Sequence, residues 1–200
     1  MCGFVGYVND TPDKSVNEKI IKDMADRIRH RGPDQDDYYV DSSVSLGFRR
    51  LSIIDLDGGS QPILNEDGTK VLVFNGEIYN YQPIREELIK KGHVFRTKTD
   101  SEVLLHGYEE YGCELLNKLR GMFAFVIWDS TEKKLFGARD IFGIKPFFYY
   151  LKNGNFLFGS EIKSFLSNPL FEKELNEERL PDYLCFEYIP TTETMFKNVY

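Results

Sequence analysis

The order of apolar runs constrains this fold most strongly: short strand-like runs lie on both sides of a central block of two helices. Runs with strand character occupy the first 75 residues and return between residues 122 and 159, separated by turn-forming residues. Strands and helices rarely alternate one by one, as they would in a parallel doubly wound sheet. The pattern therefore predicts an α+β fold of layered antiparallel sheets and helices.

The helices are indicated by apolar residues at helical spacing and by their start and stop signals. Pro83 falls in the first turn of one helix and Gly92 follows its end. The predicted helices are Val16–Arg29, Tyr81–Lys91 and Ser101–Tyr111, with short helical segments at Glu161–Leu166 and Asn176–Leu184. The predicted strands are Cys2–Val8, Asp37–Val40, Val44–Phe48, Val71–Phe74, Met122–Trp128, Leu135–Ala138, Phe147–Leu151 and Phe156–Gly159.

Charge and apolar content exclude several classes of protein. Lysine and arginine number 25 against 32 aspartates and glutamates, so the net charge of −7 disfavours nucleic-acid binding. The longest apolar stretch, Gly121–Trp128, is much shorter than the roughly 20 residues that cross a bilayer, and no secretory signal is recognisable. We therefore expect a cytoplasmic protein that binds neither nucleic acid nor membrane.

Cysteines and histidines give no recognisable metal motif. The three cysteines lack a CxxC pair, and Cys113 and Cys185 are expected to be inert thiols. The three histidines, His30, His93 and His106, are scattered along the sequence. We therefore predict no metal site, and we expect His30 to serve as a structural hydrogen-bonding residue.

Cys2 is a candidate nucleophile because of its position. Removal of the initiator methionine would leave cysteine as the first residue, and its α-amine, with a reference pKa of about 7.7–8.0, could act as a base toward its own thiol. The alternative is a small apolar residue buried in the first strand.

Four other residues could complete a site. Asn75 and Gly76 lie at a predicted strand end, where an amide and a main-chain N–H could stabilise an oxyanion, although Asn-Gly is also a common turn. Arg50 could hold a carboxylate, and Arg49 would then face the opposite side of the strand. Asp100 is either a helix N-cap or an acceptor for an ammonium group.

Nine motifs in a fixed order carry a family resemblance. They are CGFVGYV, RHRGPD, RRLSIIDL, QPI, NGEIYN, TDSE, LRGMFAFVIWD, ARDIFGIKPFFYY and GSEIK, which together span most of the first 165 residues. The chain resembles the class II glutamine amidotransferases, N-terminal-nucleophile (Ntn) hydrolases, and is most similar to the glutaminase domain of the asparagine synthetases.

The resemblance implies a four-layer αββα sandwich of two antiparallel sheets and assigns roles to the candidates. Cys2 would be nucleophile and, through its amine, base; Asn75 and Gly76 would form the oxyanion hole. L-Glutamine would be bound by Arg50, Leu51, Ser52, Ile53, Ile54, Asn75, Gly76, Glu77 and Asp100, without a metal. Three further polar residues, Arg139, Asp140 and Lys145, are expected to support the fold.

The resemblance also implies a domain arrangement. Residues 1–165 would form the glutaminase domain, and residues 166–200 its end and the start of a linker to a C-terminal synthetase domain outside this sequence. That domain would use ATP and Mg²⁺ to amidate aspartate, and a homodimer is possible. Two alternatives are an amidotransferase with another acceptor, such as a sugar or a natural-product carboxylate, and a non-catalytic regulatory module.

Overall fold

The computed structural model describes residues 2–51 and 60–200, which build two antiparallel sheets. One sheet has the strand order β2-β3-β1-β9-β8 and the other β4-β5-β6-β7. The strands are β1 (Gly3–Val8), β2 (Gln35–Val40), β3 (Val44–Arg50), β4 (Ile63–Leu64), β5 (Lys70–Ile78), β6 (Gly121–Asp129), β7 (Lys134–Arg139), β8 (Phe148–Lys152) and β9 (Asn155–Gly159).

Four α-helices accompany the sheets in the described residues: α1 (Lys14–Asp26), α2 (Tyr81–Lys90), α3 (Ser101–Tyr111) and α4 (Leu180–Phe186). Helix α1 begins where the Asp13 carboxylate accepts the N–H groups of Ser15 and Val16, which satisfies two of the free donors of the first turn. Single 3₁₀ segments occupy Arg29–Arg31, Gly112–Asn117, Ile162–Ser167 and Glu177–Arg179. In the described ranges, none of the helices combines the length and apolar character that a bilayer crossing requires.

Alternation of side chains along the strands separates three apolar layers. The layer between the sheets contains Phe4, Leu46, Phe48, Val71 and Val73, all buried. Another layer packs α1 against the five-stranded sheet, and a third packs α3 against the four-stranded sheet. The order is helix, sheet, sheet, helix, so the predicted αββα fold is confirmed.

The predicted helices and strands differ from the observed ones mainly where pairing with a neighbouring strand determines where a strand forms and ends. The prediction that Asn75 and Gly76 lie at a strand end is wrong: β5 continues to Ile78 because Asn75 pairs with Ala124 and Gly76 with Phe123 of β6. The two-residue strand β4 was not predicted. The predicted helix at Glu161–Leu166 is a 3₁₀ segment at Ile162–Ser167.

The C-terminal residues pack on the five-stranded sheet. Val199 is buried, and Phe171 and Phe196 contact the layer between this sheet and α1. The main chains of Tyr149 and Tyr200 exchange two hydrogen bonds. The boundary between residues 165 and 166 stays a prediction.

Candidate functional site

Cys2 and Arg50 lie next to each other at one end of the five-stranded sheet. Strands β1 and β3 are antiparallel with Gly3 opposite Arg49, a register that brings Cys2 beside Arg50. The Cys2 side chain packs against the apolar layer between the sheets, and Arg50 alternates onto the same face as Phe48 of that layer. Two residues 48 positions apart in the sequence therefore lie side by side on the inner face of the sheet.

The Cys2 thiol is held by main-chain groups of Leu51. The Leu51 N–H donates to Sγ at 3.4 Å, and Sγ lies 3.7 Å from the Leu51 carbonyl oxygen. Both contacts orient the sulfur. The thiol is half-buried, so it is also open to a substrate on one side.

The carbonyl group of Cys2 is fixed by a second contact. Arg31 donates from Nε to this carbonyl oxygen at 3.0 Å and from Nη1 to Glu161 Oε1 at 3.1 Å. Glu161 also accepts from His30 and pairs with Lys163. Burial alone would raise the pKa of the Glu161 carboxyl, but its bonds to Lys163, Arg31 and His30 lower it overall, so Glu161 stays ionised. This network fixes the residue that carries the thiol.

Asn75 contributes a buried amide from the facing sheet. It lies on the same face of β5 as Val71 and Val73, which pack in the layer between the sheets, and it is 2% exposed. Within the described part of the chain, its Nδ2 atom has no hydrogen-bond partner. A buried donor without a partner costs free energy, which makes Asn75 a strong candidate for a ligand-binding role.

The Gly76 main chain lies on the open edge of β5. The N–H and C=O of Phe74 are both bound by the Gln61 side chain, and the N–H of Ile78 donates to Asp100 Oδ2 at 2.8 Å. Since residues two apart in a strand direct their N–H groups to the same side, the Gly76 N–H lies on this edge between Gln61 and Asp100. Asn75 and Gly76 thus supply one side-chain and one main-chain donor from adjacent residues.

Glycine is required at position 76 by close approach of the neighbouring strand. A Cβ atom there would collide with the Met122 carbonyl oxygen and with Phe123 Cα of β6. Because both are main-chain atoms of a paired strand, neither can move aside cheaply.

Arg49 and Arg50 face opposite sides of the sheet, as predicted from strand alternation. Arg49 pairs with Asp26 and Asp36 on the α1 side. Arg50 is 8% exposed and donates from Nη1 to Gln35 Oε1 at 2.8 Å. Arg50 also lines a cavity of about 390 Å³, whose described lining is Asp34, Gln35, Asp36, Asp37, Phe48, Arg50, Ser60 and Gln61.

Asp100 links the start of α3 to β5. Its side chain makes no capping hydrogen bond to α3 and instead accepts the Ile78 N–H. Burial raises the pKa of the Asp100 carboxyl. The hydrogen bond from the Ile78 N–H lowers this pKa and the nearby Glu77 charge raises it, and the net change is upward. A half-buried carboxylate with this cost is suited to binding a cation.

The preceding loop is held by Glu102 in the first turn of α3. Its carboxylate accepts the N–H groups of Arg96 and Thr97 at 2.9 and 2.7 Å and the Thr97 hydroxyl at 2.6 Å. These bonds fix the loop that leads into Asp100.

The remaining predicted residues divide into three groups. Glu77 is exposed at the end of β5, next to the site. Three predicted glutamine-binding residues, Ser52, Ile53 and Ile54, lie outside the described residues. The third group is structural, as predicted: Asp140 accepts the N–H groups of Phe123, Ile144 and Lys145, and Arg139 donates to the carbonyls of Gly143 and Lys145.

Comparison with known proteins assigns this arrangement to a family. A family model described as a glutamine amidotransferase domain matches residues 1–200. The chain belongs to the glutamine amidotransferase family. The predicted resemblance to the class II enzymes is therefore confirmed.

Full-length relatives of this glutamine amidotransferase domain are named as asparagine synthetases. The chain is 48% identical over 203 residues to "Asparagine synthetase [glutamine-hydrolyzing] 1" of Bacillus subtilis, covering 100% of this chain and 32% of the relative. A putative asparagine synthetase of Mycobacterium tuberculosis is 39% identical over 217 residues, covering 100% of this chain and 33% of the relative. The chain thus spans about a third of the length of these relatives.

Solved structures support the fold. The glutamine phosphoribosylpyrophosphate amidotransferase of B. subtilis aligns with a TM-score of 0.68 at 19% identity, covering 87% of this chain and 45% of that one. This likeness extends to the Ntn-type sandwich and not to the substrate.

Three residues of the amidotransferase site were missed as individual candidates: Arg31, Gln61 and Glu102. Each lies within a motif that carried the resemblance, namely RHRGPD, QPI and TDSE. Their roles depend on hydrogen bonds to main-chain atoms: Arg31 to Cys2, Gln61 to Phe74, and Glu102 to Arg96 and Thr97.

Proposed function

We propose that this domain hydrolyses L-glutamine to glutamate and ammonia with Cys2 as the nucleophile. The supporting observation is the combination of a half-buried thiol that accepts the Leu51 N–H, the adjacent Arg50, and the buried Asn75 amide donor without a partner. An acyl-transfer site needs these three functions: a nucleophile, a substrate anchor and an oxyanion donor.

The first half of the reaction forms a thioester. The Cys2 sulfur, its proton taken up by the α-amine of the processed chain, attacks the carboxamide carbon of glutamine. The oxygen that becomes negative is stabilised by Asn75 Nδ2 and the Gly76 N–H, each such donor contributing roughly 3–4 kcal/mol. The carbon–nitrogen bond then breaks, and the α-ammonium gives its proton to the departing ammonia.

The second half releases glutamate. Water attacks the γ-glutamyl thioester while the Cys2 α-amine accepts its proton, and the carbon–sulfur bond breaks to regenerate the thiol. Arg50 binds the α-carboxylate of glutamine and Asp100 its α-ammonium, with the main chain from Leu51 to Ile54 and at Glu77 completing the pocket. Both ends of the substrate backbone are thereby fixed, and only the carboxamide reaches the sulfur.

A glutaminase assay with cysteine variants tests the proposal. The full chain is purified, its mass is measured to confirm loss of Met1, and glutamate release from glutamine is followed. Cys2→Ala should lower the rate at least about 10⁴-fold, since the nucleophile itself is lost. Cys113→Ala, which removes an exposed thiol outside the site, is the matched control and should keep full activity. Equal activity of Cys2→Ala and the control would refute the mechanism.

We further propose that the complete protein is a glutamine-hydrolysing asparagine synthetase of the cytoplasm. The names of relatives at 39–48% identity support this, and about two thirds of their length lies outside the match. The missing part would be the synthetase domain, which would bind ATP and Mg²⁺ and amidate aspartate with the ammonia. Aspartate-dependent conversion of glutamine nitrogen to asparagine by the complete protein tests this; transfer to another carboxylate instead would select the alternative acceptor.

A further inference from the structure

The helix pair on the outer face of the four-stranded sheet brings together two histidines that are 13 positions apart in the sequence. The rings of His93, after α2, and His106, within α3, have centroids 5.2 Å apart. The prediction that the histidines are scattered is therefore wrong for these two. Together with Glu109, each offers one ligand atom, and these three atoms lie within 4.8 Å of one another.

The inner atoms of the cluster have the spacing of metal ligands. Glu109 Oε2 lies 2.8 Å from His106 Nδ1 and 3.6 Å from His93 Nδ1. Ligands bound tetrahedrally at about 2.0–2.1 Å are separated by about 3.3 Å, between these two distances. One carboxylate oxygen thus already lies between two imidazole nitrogens.

The outer atoms of both imidazoles also face carboxylates. His93 Nε2 is 3.3 Å from Glu110 Oε2, and His106 Nε2 is 3.8 Å from Glu66 Oε1. In protein metal sites, a ligating histidine usually donates its other ring N–H to a carboxylate, which orients the ring and increases its basicity. The outer nitrogen of His93 has such a partner within hydrogen-bond distance, and that of His106 faces a carboxylate 3.8 Å away.

Glu109 is held in a single orientation by its second oxygen. Asn65 donates from Nδ2 to Glu109 Oε1 at 2.7 Å. Oε2 of the same carboxylate is thus directed at the two rings.

The cluster combines a rigid base with access from solvent. His106 is 2% exposed and lies edge-on to Phe95, while the side chains of His93 and Glu109 keep partial exposure. Lys91 pairs with Glu110 beside the cluster through a side chain that is 40% exposed. His93 and Glu109 therefore give the cluster a side that solvent reaches.

We propose that His93, His106 and Glu109 bind a divalent transition-metal ion of the zinc class. The ligands are Nδ1 of each imidazole and Oε2 of the carboxylate, with water in the fourth position. Two nitrogens and one carboxylate oxygen suit zinc better than magnesium or calcium, which prefer oxygen ligands only. The ion would join the end of α2 to α3 and would stiffen this outer layer.

Zinc binding to the full chain tests this proposal. Protein freed of metal with a chelator is titrated with ZnCl₂ by calorimetry, and thermal unfolding is followed with and without zinc. We expect one zinc per chain and an increase in the unfolding midpoint of about 5 °C or more at a hundredfold excess over Kd. His93→Gln should weaken binding at least tenfold and abolish the thermal shift, whereas His30→Gln, at the third histidine, should keep both.

Two further measurements separate this site from others. Alkylation of the cysteines should leave the zinc affinity unchanged, and Co²⁺ in place of zinc should show d–d absorption without a thiolate charge-transfer band. If His93→Gln folds poorly, Glu109→Gln, which keeps the side-chain shape, must show the same tenfold loss. The absence of one-to-one binding, a loss below tenfold in the folded variant, or dependence on the thiols would overturn the proposal.

Discussion

Adjacent arginines offer a matched pair for testing substrate binding at the scale of single residues. Arg50 faces the space beside Cys2, whereas Arg49 pairs with Asp26 and Asp36 on the opposite side of the sheet. Arg50→Lys keeps the charge but loses the planar fork that binds a carboxylate through two hydrogen bonds. We expect Arg50→Lys to raise the KM for glutamine about tenfold or more.

The control for this prediction is Arg49→Lys. It replaces the guanidinium whose two nitrogens pair with Asp26 and Asp36, which weakens the link between β2, β3 and α1, so it should lower the thermal midpoint and leave KM unchanged. Steady-state kinetics and thermal unfolding of both variants check the pair. If Arg49→Lys altered KM as strongly as Arg50→Lys, the assignment of Arg50 to the substrate carboxylate would be wrong.

The role of Asn75 can be tested by asking whether its amide affects kcat or KM. Its buried Nδ2 has no partner in the described residues, so its hydrogen bond would form with the developing oxyanion. An interaction made only in the transition state affects kcat more than KM. Asn75→Ala should lower kcat by about 10²–10³ with little change in KM.

The matched control for Asn75→Ala is Asn117→Ala. Asn117 is exposed, far in sequence from β5, and its Nδ2 donates to Glu114 Oε2 at 2.6 Å. This variant should keep the wild-type kcat. A tenfold or greater increase in KM with unchanged kcat in Asn75→Ala would assign the amide to ground-state binding instead.

At the scale of secondary-structure elements, Asp100 connects α3 to β5, and its contribution to the free energy of unfolding depends on pH. Because its pKa is raised in the folded state, the folded protein binds a proton more tightly there than the unfolded chain does. The free energy of unfolding contributed by this group therefore falls as pH rises from the usual aspartate pKa through the raised value. Asp100→Asn removes this penalty and also removes the charge that would bind the α-ammonium.

We therefore expect Asp100→Asn to be more stable than wild type at pH values above the raised pKa, and this difference in stability to disappear in acid. We also expect the variant to have a higher KM for glutamine. Chemical denaturation across a pH series and kinetics on the same samples measure both effects. Asp23→Asn, on the exposed face of α1, provides the comparison. A stability difference that does not change with pH would contradict the assigned cause.

The sequence predicted correctly those helices and strands whose ends are set by residues within or next to them. Helix α3 begins at Ser101 and ends at Tyr111, as predicted, because a polar start, an apolar face and Gly112 define it locally. Strand β4 has only two residues and no pattern of its own. The length of β5 was underestimated because its last residues are strand-like only through pairing with β6.

The candidate site shows the same division between local and long-range information. Cys2, Asn75 and Arg50 could be selected as candidates from the sequence. The register of β1 on β3 then places Cys2 beside Arg50. Other contacts join segments whose relative position depends on the fold between them. Examples are the contact of Arg31 with the Cys2 carbonyl and that of His93 with Glu109. Long-range geometry of this kind has no signal in a single sequence.

At the scale of the whole molecule, a side-chain hydrogen bond from a buried indole joins the two sheets. Trp128, the one tryptophan of the chain, lies in β6, and its Nε1 donates to Asp41 Oδ2 at 2.7 Å. Asp41 belongs to the turn between β2 and β3, where its other oxygen accepts the N–H groups of Ser43 and Val44. The bond joins this turn of the five-stranded sheet to a strand of the four-stranded sheet, and Trp128 itself packs in the apolar layer that both sheets share.

We expect the two sheets to unfold as one unit. Tryptophan fluorescence, which reports the layer between the sheets, and far-ultraviolet circular dichroism, which reports all elements, should give the same denaturant midpoint. Asp41→Ala leaves the buried indole N–H unpaired and should lower the free energy of unfolding by about 2 kcal/mol, shifting both transitions together. Asp67→Ala removes a similar turn carboxylate that bonds only within the β4–β5 connection, and it should cost less. If Asp41→Ala separated the fluorescence transition from the dichroism transition, the sheets would be independent folding units, and the site between them would depend on their docking.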